Sequence, residues 1–414
     1  MLDLRNIRSP IILFASMGDN ITPTQQAFNW VADVYGSTDE IKARGQVIIG
    51  LLHQSVGHLG IFVSGAVAKK EHAQIVSVLK SVEALPPGLY GMQITETQDK
   101  DGKPLYDVHF IERALEEVVA RTNRANRVDE KPFQAVEEVS DFNQRAYELF
   151  AQPLVRAMSN DFTAKLSREL HPLRMQRWGL SDLNPWLGWL RYAAPLAREQ
   201  RQPLAADSQA RRMEGLMSEI VSASLDYYRE MRDATSEAQF FQLYGNMFAL
   251  YLADKHEAET SAAPAAEGRE LPFVKDALAA IAEGGYPEAL SRVAALLARR
   301  GEPLPLAKIA LKAELAQDYK DLLPALAPDE WRRVRGEQEI VVRYERERAI
   351  ETLPMLLADA GDRERFFAFI ERLFRDERLQ HVAPNAEQKA TLARLRDLLH
   401  FDPPKRRLAP LKKA

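Results

Sequence analysis

Two side chains with complementary acid–base chemistry stand in separate short motifs of this 414-residue chain: Asp19 in Gly18-Asp19-Asn20-Ile21-Thr22-Pro23, and His58 in Val56-Gly57-His58-Leu59-Gly60-Ile61-Phe62. A carboxylate that accepts from one imidazole nitrogen fixes the ring's tautomer. The other nitrogen is then free to take a proton from a nucleophile. Each motif follows a short apolar run, and reactive groups of open α/β sheets lie at the carboxyl ends of such strands. Asp19 and His58 are therefore the candidate catalytic residues. The same residues also admit a structural reading, in which Asp19 caps the turn and helix beginning near Thr22 and His58 is a satisfied loop histidine. Spacing leaves both readings open.

Several other chemistries are excluded. The chain has no cysteine, so disulfides, thiolate metal sites and a cysteine nucleophile are all ruled out. No two glycines stand two apart, which removes the dinucleotide fingerprint. The glycines that stand five apart (Gly45 and Gly50, Gly60 and Gly65) are followed by no lysine, which removes the P-loop. There is no HExxH motif, and His53 and His58 have no evident third ligand. No metal and no cofactor are expected. With 55 Lys and Arg against 59 Asp and Glu, the net charge of −4 argues against nucleic acid as a partner.

The elements that must carry the two residues are legible in outline. Ile11 to Ser16 (IILFAS) and Val47 to Leu52 (VIIGLL) read as buried parallel strands. Between them Thr22 and Pro23 form a cap and first-turn pair for a helix whose apolar face includes Ala27, Trp30, Val31 and Val34. STDEIKA adds a second helix capped by Ser37, with Glu40 three residues on. A strand–helix–strand crossover of a parallel sheet follows from this order. One long helix is expected from about Val67 to Leu85, stopped by Pro86 and Pro87. Tyr90 to Thr97 and Leu105 to Ile111 read as a hairpin around DKDG.

Beyond this partial α/β domain (1–127) the chain reads as all-α. A helical region spans 135–256, in which Phe240, Tyr244, Phe248 and Tyr251 share a helix face and Trp178 to Tyr192 form an aromatic loop or helical hairpin. An Ala/Pro/Glu-rich linker at 257–269 precedes a proline-punctuated helical domain at 270–400 and a basic tail at 401–414. The fold class is thus α/β plus all-α. No apolar run approaches the roughly 18 residues a membrane helix needs. The charged start, MLDLRNIRSP, does not read as an export signal. With no cysteine to pair, a cytoplasmic location is the expectation.

The stretches FASMGDNITPTQQAFNWV and HQSVGHLGIFVSGAVAKKEH resemble the C-terminal part of an α/β-hydrolase-fold acyltransferase of the polyhydroxyalkanoate synthase kind. More narrowly, they are similar to bacterial proteins labelled 3-hydroxyalkanoate synthetase-like. The resemblance is strong over roughly residues 4–75 and rests on Asp19-Asn20-Ile21-Thr22-Pro23 and Gly57-His58, which match the family's D-x-I-x-P and G-H motifs. It implies that Asp19 orients, that His58 acts as base, and that the substrate is a hydroxyacyl ester or thioester. YYREMRDATSEAQFFQLYGN looks phasin-like, which implies a polymer granule as a partner. The block at 270–400 looks like small helical domains linked to tellurite resistance. Its acidic stretches, EGGYPEA and ADAGDRERF, read equally well as solvated helix ends.

Two features depart from the synthase pattern. The interval from Asp19 to His58 is 39 residues, with STDEIKARG as the apparent insertion. The nucleophile is also missing: no two of the 20 glycines stand four apart, so there is no GxSxG elbow. Ser9 and Ser16 come too early in the chain for one, and Ser55 and Ser64 flank the histidine as structural residues. A sheet opening on what should be an interior strand exposes unpaired backbone groups along its edge. The chain is therefore expected to be a truncated version of a longer protein, or one half of a split protein whose upstream half is a partner, and to be inactive alone. The competing expectation is a non-catalytic helical scaffold that binds a granule or lipid surface.

Overall fold

The computed structural model describes residues 3–79, 81–98, 104–123, 130–181, 183–203, 205, 207–246, 251, 268–298, 301–379 and 384–400. The turn DKDG, the linker up to residue 267, Phe248 and the basic tail lie outside the described residues. Residues 1–124 and 263–414 form one compact unit, and residues 125–262 form another.

The first unit is built on a five-stranded mixed sheet with the order β1-β2-β3-β4-β5. Its strands are β1 (Ile11–Ser16), β2 (Val47–His53), β3 (Gly88–Gln98), β4 (Pro104–Glu112) and β5 (Leu304–Pro305). β1 pairs with β2 and β2 with β3 in parallel, whereas β3–β4 and β4–β5 are antiparallel. β2 is an unbroken apolar run because both of its faces are covered. Val47, Ile49 and Leu51 pack with Val78, Val82, Leu85 and Ile309. Ile48, on the opposite face, packs with Val31, Tyr35, Ile41, Leu89 and Leu115. Among the described residues β1 pairs only with β2, which leaves its other edge open.

Between β1 and β2 lie α1 (Thr24–Tyr35) and α2 (Thr38–Ala43). α1 stops at Gly36, whose φ of 68° lies in the left-handed region that favours glycine. Ser37 caps α2 as expected, its side chain accepting from the Glu40 N–H. The cap of α1 differs from expectation. The helix starts at Thr24 after Pro23, and Thr22 turns its hydroxyl to Asp19 instead of to the helix.

The expected helix from Val67 to Leu85 is present only as far as Val78 and contains a π-helical turn. A short helix at Gly65–Val67 runs into a π-helical turn at Ala68–His72, then Ala73–Val78, and a separate 3-10 turn at Val82–Ala84. The hairpin arms are present as β3 and β4. After them comes α3 (Leu115–Thr122), whose Leu115 and Val118 close over the α1 side of the sheet.

The C-terminal block is helical as expected, and it belongs to the same compact unit as the sheet. β5 extends the sheet beyond β4. Its helices include α4 (Tyr286–Leu297) and α5 (Pro328–Tyr344). α5 lies on α2 so closely that a Cβ at Gly336 would overlap the Lys42 carbonyl oxygen, 1.7 Å away. Ion pairs seal the contact: Lys42 meets Glu339 at 2.8 Å and Arg343 meets Asp39 at 2.8 Å, while Lys42 also reaches Glu112 of β4 at 2.5 Å. The segment STDEIKARG, an insertion by the synthase pattern, thus carries the groups that hold the C-terminal block.

The second unit is all-helical among the described residues, dominated by the 36-residue helix Gln209–Tyr244. Near its end Phe240 stacks on Phe133 (4.5 Å between centroids) and on Tyr244 (5.2 Å), the shared face expected of the 240–244 step. The aromatic segment resolves into a helix ending at Gly179, a turn, and a helix from Leu190. Large apolar side chains stay exposed here, including Phe150 (80%) and Trp186 (85%). Among the described residues no helix is long and apolar enough to cross a membrane.

Candidate active site

The loops that follow β1 and β2 are tied together before either functional side chain enters. The Met17 N–H donates to the His53 carbonyl at 2.8 Å, extending the parallel ladder by one bond. The buried Ser16 hydroxyl donates to the Val56 carbonyl at 2.5 Å and accepts from the Gly18 N–H at 3.1 Å. At Gly18 the backbones come so close that an added Cβ would stand 2.4 Å from the Ser55 carbonyl oxygen. Only glycine fits there, so Gly18 sets the distance between the two loops.

This clasp brings Asp19 and His58 together. His58 Nδ1 stands 2.9 Å from Asp19 Oδ2. The same carboxylate accepts from the Thr22 hydroxyl (2.6 Å, Oδ2) and, through Oδ1, from the N–H groups of Ile21 (2.9 Å) and Thr22 (3.0 Å). Asp19 therefore caps its own turn and also faces the imidazole. Its side chain is fully buried while that of His58 keeps 32% of its exposure. Burial alone pushes the Asp19 carboxyl up. The hydrogen bonds from Thr22, His58 and Ile21 outweigh that and hold it well below the usual carboxylate range.

An ionised Asp19 only accepts, so Nδ1 of His58 carries the proton it receives. The Thr22 hydroxyl, already donating to Asp19, presents its oxygen to the same Nδ1 at 3.0 Å. In the neutral ring the lone pair is then on Nε2, the tautomer a general base requires. Among the described residues Nε2 meets no protein partner. The sequence reading missed Thr22 as a member of this cluster. A threonine before Pro-Thr reads as a helix cap, and only the Asp-x-x-Thr spacing of a turn could have pointed to it.

The four serines considered as nucleophiles do not serve His58. Ser16 is buried and bonded to Val56, and Ser64 accepts from the Val67 N–H at 3.4 Å. Ser9 lies before β1 with its carbonyl bound by Gln46, and Ser55 donates its N–H to His53 Nδ1 at 3.2 Å. The hydroxyl that does touch His58 belongs to Thr22 and sits on the Asp19 side of the ring. Among the described residues no group of three or more His, Cys, Asp or Glu could hold a metal ion.

Residues 1–280 match a family model described as "Protein of unknown function (DUF3141)". The chain is also 36% identical over 303 residues to an uncharacterized protein in the ackA 5' region of Rhizobium meliloti. That match takes in 70% of this chain and 41% of the relative, so the chain spans well under half of the relative's length. No solved structure matches.

Proposed function

We propose that this chain, which belongs to the DUF3141 family, carries the acid and base members of an acyltransferase or hydrolase site of the α/β-hydrolase, polyhydroxyalkanoate synthase-like kind. The observation that carries the reading is the 2.9 Å contact from Asp19 Oδ2 to His58 Nδ1, which leaves Nε2 free. In this reading Asp19 orients and charge-stabilises the imidazole. His58 takes the proton from a nucleophile attacking a hydroxyacyl ester or thioester, then returns it to the leaving group. The nucleophile comes from polypeptide beyond these residues. The open edge of β1, with Ile11, Ile12, Leu13 and Phe14 only partly buried, suits a further parallel strand. Alone, the chain is expected to form no acyl-enzyme. Intact-mass spectrometry after incubation with an activated hydroxyacyl ester checks this, and an adduct that survives His58→Ala would remove the histidine from the mechanism.

A second reading, a non-catalytic scaffold on a granule or lipid surface, is favoured by the apolar side chains of the helical unit. Trp186 and Trp189, in the turn before Leu190, and Tyr192 in the helix are each more than 60% exposed, and exposed aromatic side chains of this kind suit a lipid or polymer interface. Under it, the full chain co-sediments with hydroxyalkanoate granules and a Trp186→Ser/Trp189→Ser variant is retained at least several-fold less. Absence of the intact chain from the granule pellet would eliminate it.

A further inference from the structure

A cavity of about 570 Å3 opens where β2 and β3 meet α1 and α3. That volume falls among those of small-molecule sites. Neither Asp19 nor His58 lines it. Its lining mixes apolar side chains, among them Phe28, Leu51, Met92 and Ile94, with polar and charged ones.

The polar lining includes a second histidine–carboxylate pair, built differently from the first. His53 Nδ1 accepts from the N–H groups of Ser55 (3.2 Å) and Val56 (3.1 Å). The neutral ring therefore bears its proton on Nε2, as a donor. Facing that donor is Glu71, whose side chain is only 8% exposed, with Oε1 at 3.8 Å from Nε2. Such a separation is too long for a hydrogen bond. Among the described residues the Glu71 carboxylate meets no other polar partner. Glu71 lies on the π-helical turn Ala68–His72, and such turns recur at functional sites.

An oxygen about 2.8 Å from each of the two groups spans this gap. It must accept from Nε2–H and donate to Oε1, as a hydroxyl or a water does, and only a ligand hydroxyl would give the preference tested below. Three cations line the same cavity: Lys70, Arg113 and Arg121. Arg113 is neutralised by Glu117 at 2.6 Å. Among the described residues Lys70 and Arg121 face no carboxylate within ion-pair distance. Two unpaired cations and several apolar residues in one lining favour an anionic ligand with a hydrocarbon body.

We propose that this cavity binds a small organic anion bearing a free hydroxyl. The hydroxyl sits between His53 and Glu71, and the anionic group faces Lys70 and Arg121. A hydroxy acid and a polyol phosphate share this chemistry, and the experiment separates them.

Calorimetric titration of the full chain uses 2-hydroxyoctanoate, octanoate and glycerol 3-phosphate as probes. At least one hydroxylated anion is expected to bind roughly tenfold or more tightly than octanoate, because a site built for a hydroxyl rejects the analogue without it. Whichever of the two binds more tightly names the source. Glu71→Leu is expected to bring 2-hydroxyoctanoate and octanoate to similar affinity. Arg121→Ala, on an exposed helix face, should weaken both acids several-fold and keep their ratio. If neither hydroxylated probe exceeds octanoate, or if Glu71→Leu keeps the preference, the proposal is overturned. Should Glu71→Leu fail to fold, the ratio measured in the unaltered protein still decides. The readout is binding without turnover, so its outcome is independent of the Asp19–His58 reading.

Discussion

Alanine at the counterpart of His58 in the longer Rhizobium meliloti relative is expected to lower kcat/KM for a hydroxyacyl thioester by about 10³–10⁴-fold. That corresponds to roughly 4–5 kcal/mol of transition-state stabilisation. The relative is the proper test object because the match covers only 41% of it, leaving room for the nucleophile that the proposed mechanism needs. The geometry sets the expected pattern as well as the size. Asp19 reaches only Nδ1, so asparagine at its counterpart should impair turnover by allowing the wrong tautomer, with KM little changed. Thr22→Val at its counterpart should cost far less, since Asp19 keeps its two backbone donors without the hydroxyl. A relative with no histidine at that position, or one whose turnover is indifferent to its loss, would end the reading.

The first hundred residues were legible because their cues are local. β1 and β2 are apolar runs ended by polar turns, and Ser37 with Glu40 marks a helix start that needs no knowledge of the rest of the chain. The pairing of Asp19 with His58 follows from those strands being parallel neighbours, in which Ser16 lies opposite His53. What stayed hidden depends on distant partners. No glycine or proline marks the π-helical turn inside the helix after Val67. There a π turn puts Glu71 against His53 and the His72 ring edge-on to Phe14, 5.9 Å away. Nor does any pattern near Asp39 announce Arg343 and Tyr344, 304 and 305 residues on. The block at 270–400 reads as self-contained by composition, yet it shares a compact unit with the sheet through such contacts.

Those contacts also bear on the candidate site. α1 and α2 link the loop of Asp19 to β2, and α2 is pinned from outside by α5 through Lys42, Asp39 and the close approach at Gly336. Residues between Asp19 and His58 therefore tie the C-terminal block to the segment that joins the two loops. Under the proposed mechanism, a 2.9 Å contact between acid and base relies on rigid support of that kind.

Asp19→Ala is expected to destabilise the protein by about 3 kcal/mol, lowering the melting temperature of its unit by roughly 6–12 °C. The substitution removes one acceptor group and strands four donors: two backbone N–H groups, the Thr22 hydroxyl and His58 Nδ1–H. A buried donor without a partner costs about 1–3 kcal/mol, but Ile21 and Thr22 are exposed enough for water to replace part of the loss. Asp19→Asn should cost less, because the amide oxygen can still serve both backbone donors. The deficit must also depend on pH. The folded carboxyl sits below the unfolded value of about 3.9, so its stabilisation is complete above that value and is lost as pH falls toward the folded one. Denaturant melts should show the full difference between the two proteins near pH 6, narrowing below about pH 4. A difference that stays constant down to about pH 2.5 would mean that Asp19 is not held ionised by its donors, and the tautomer assigned to His58 would lose its cause.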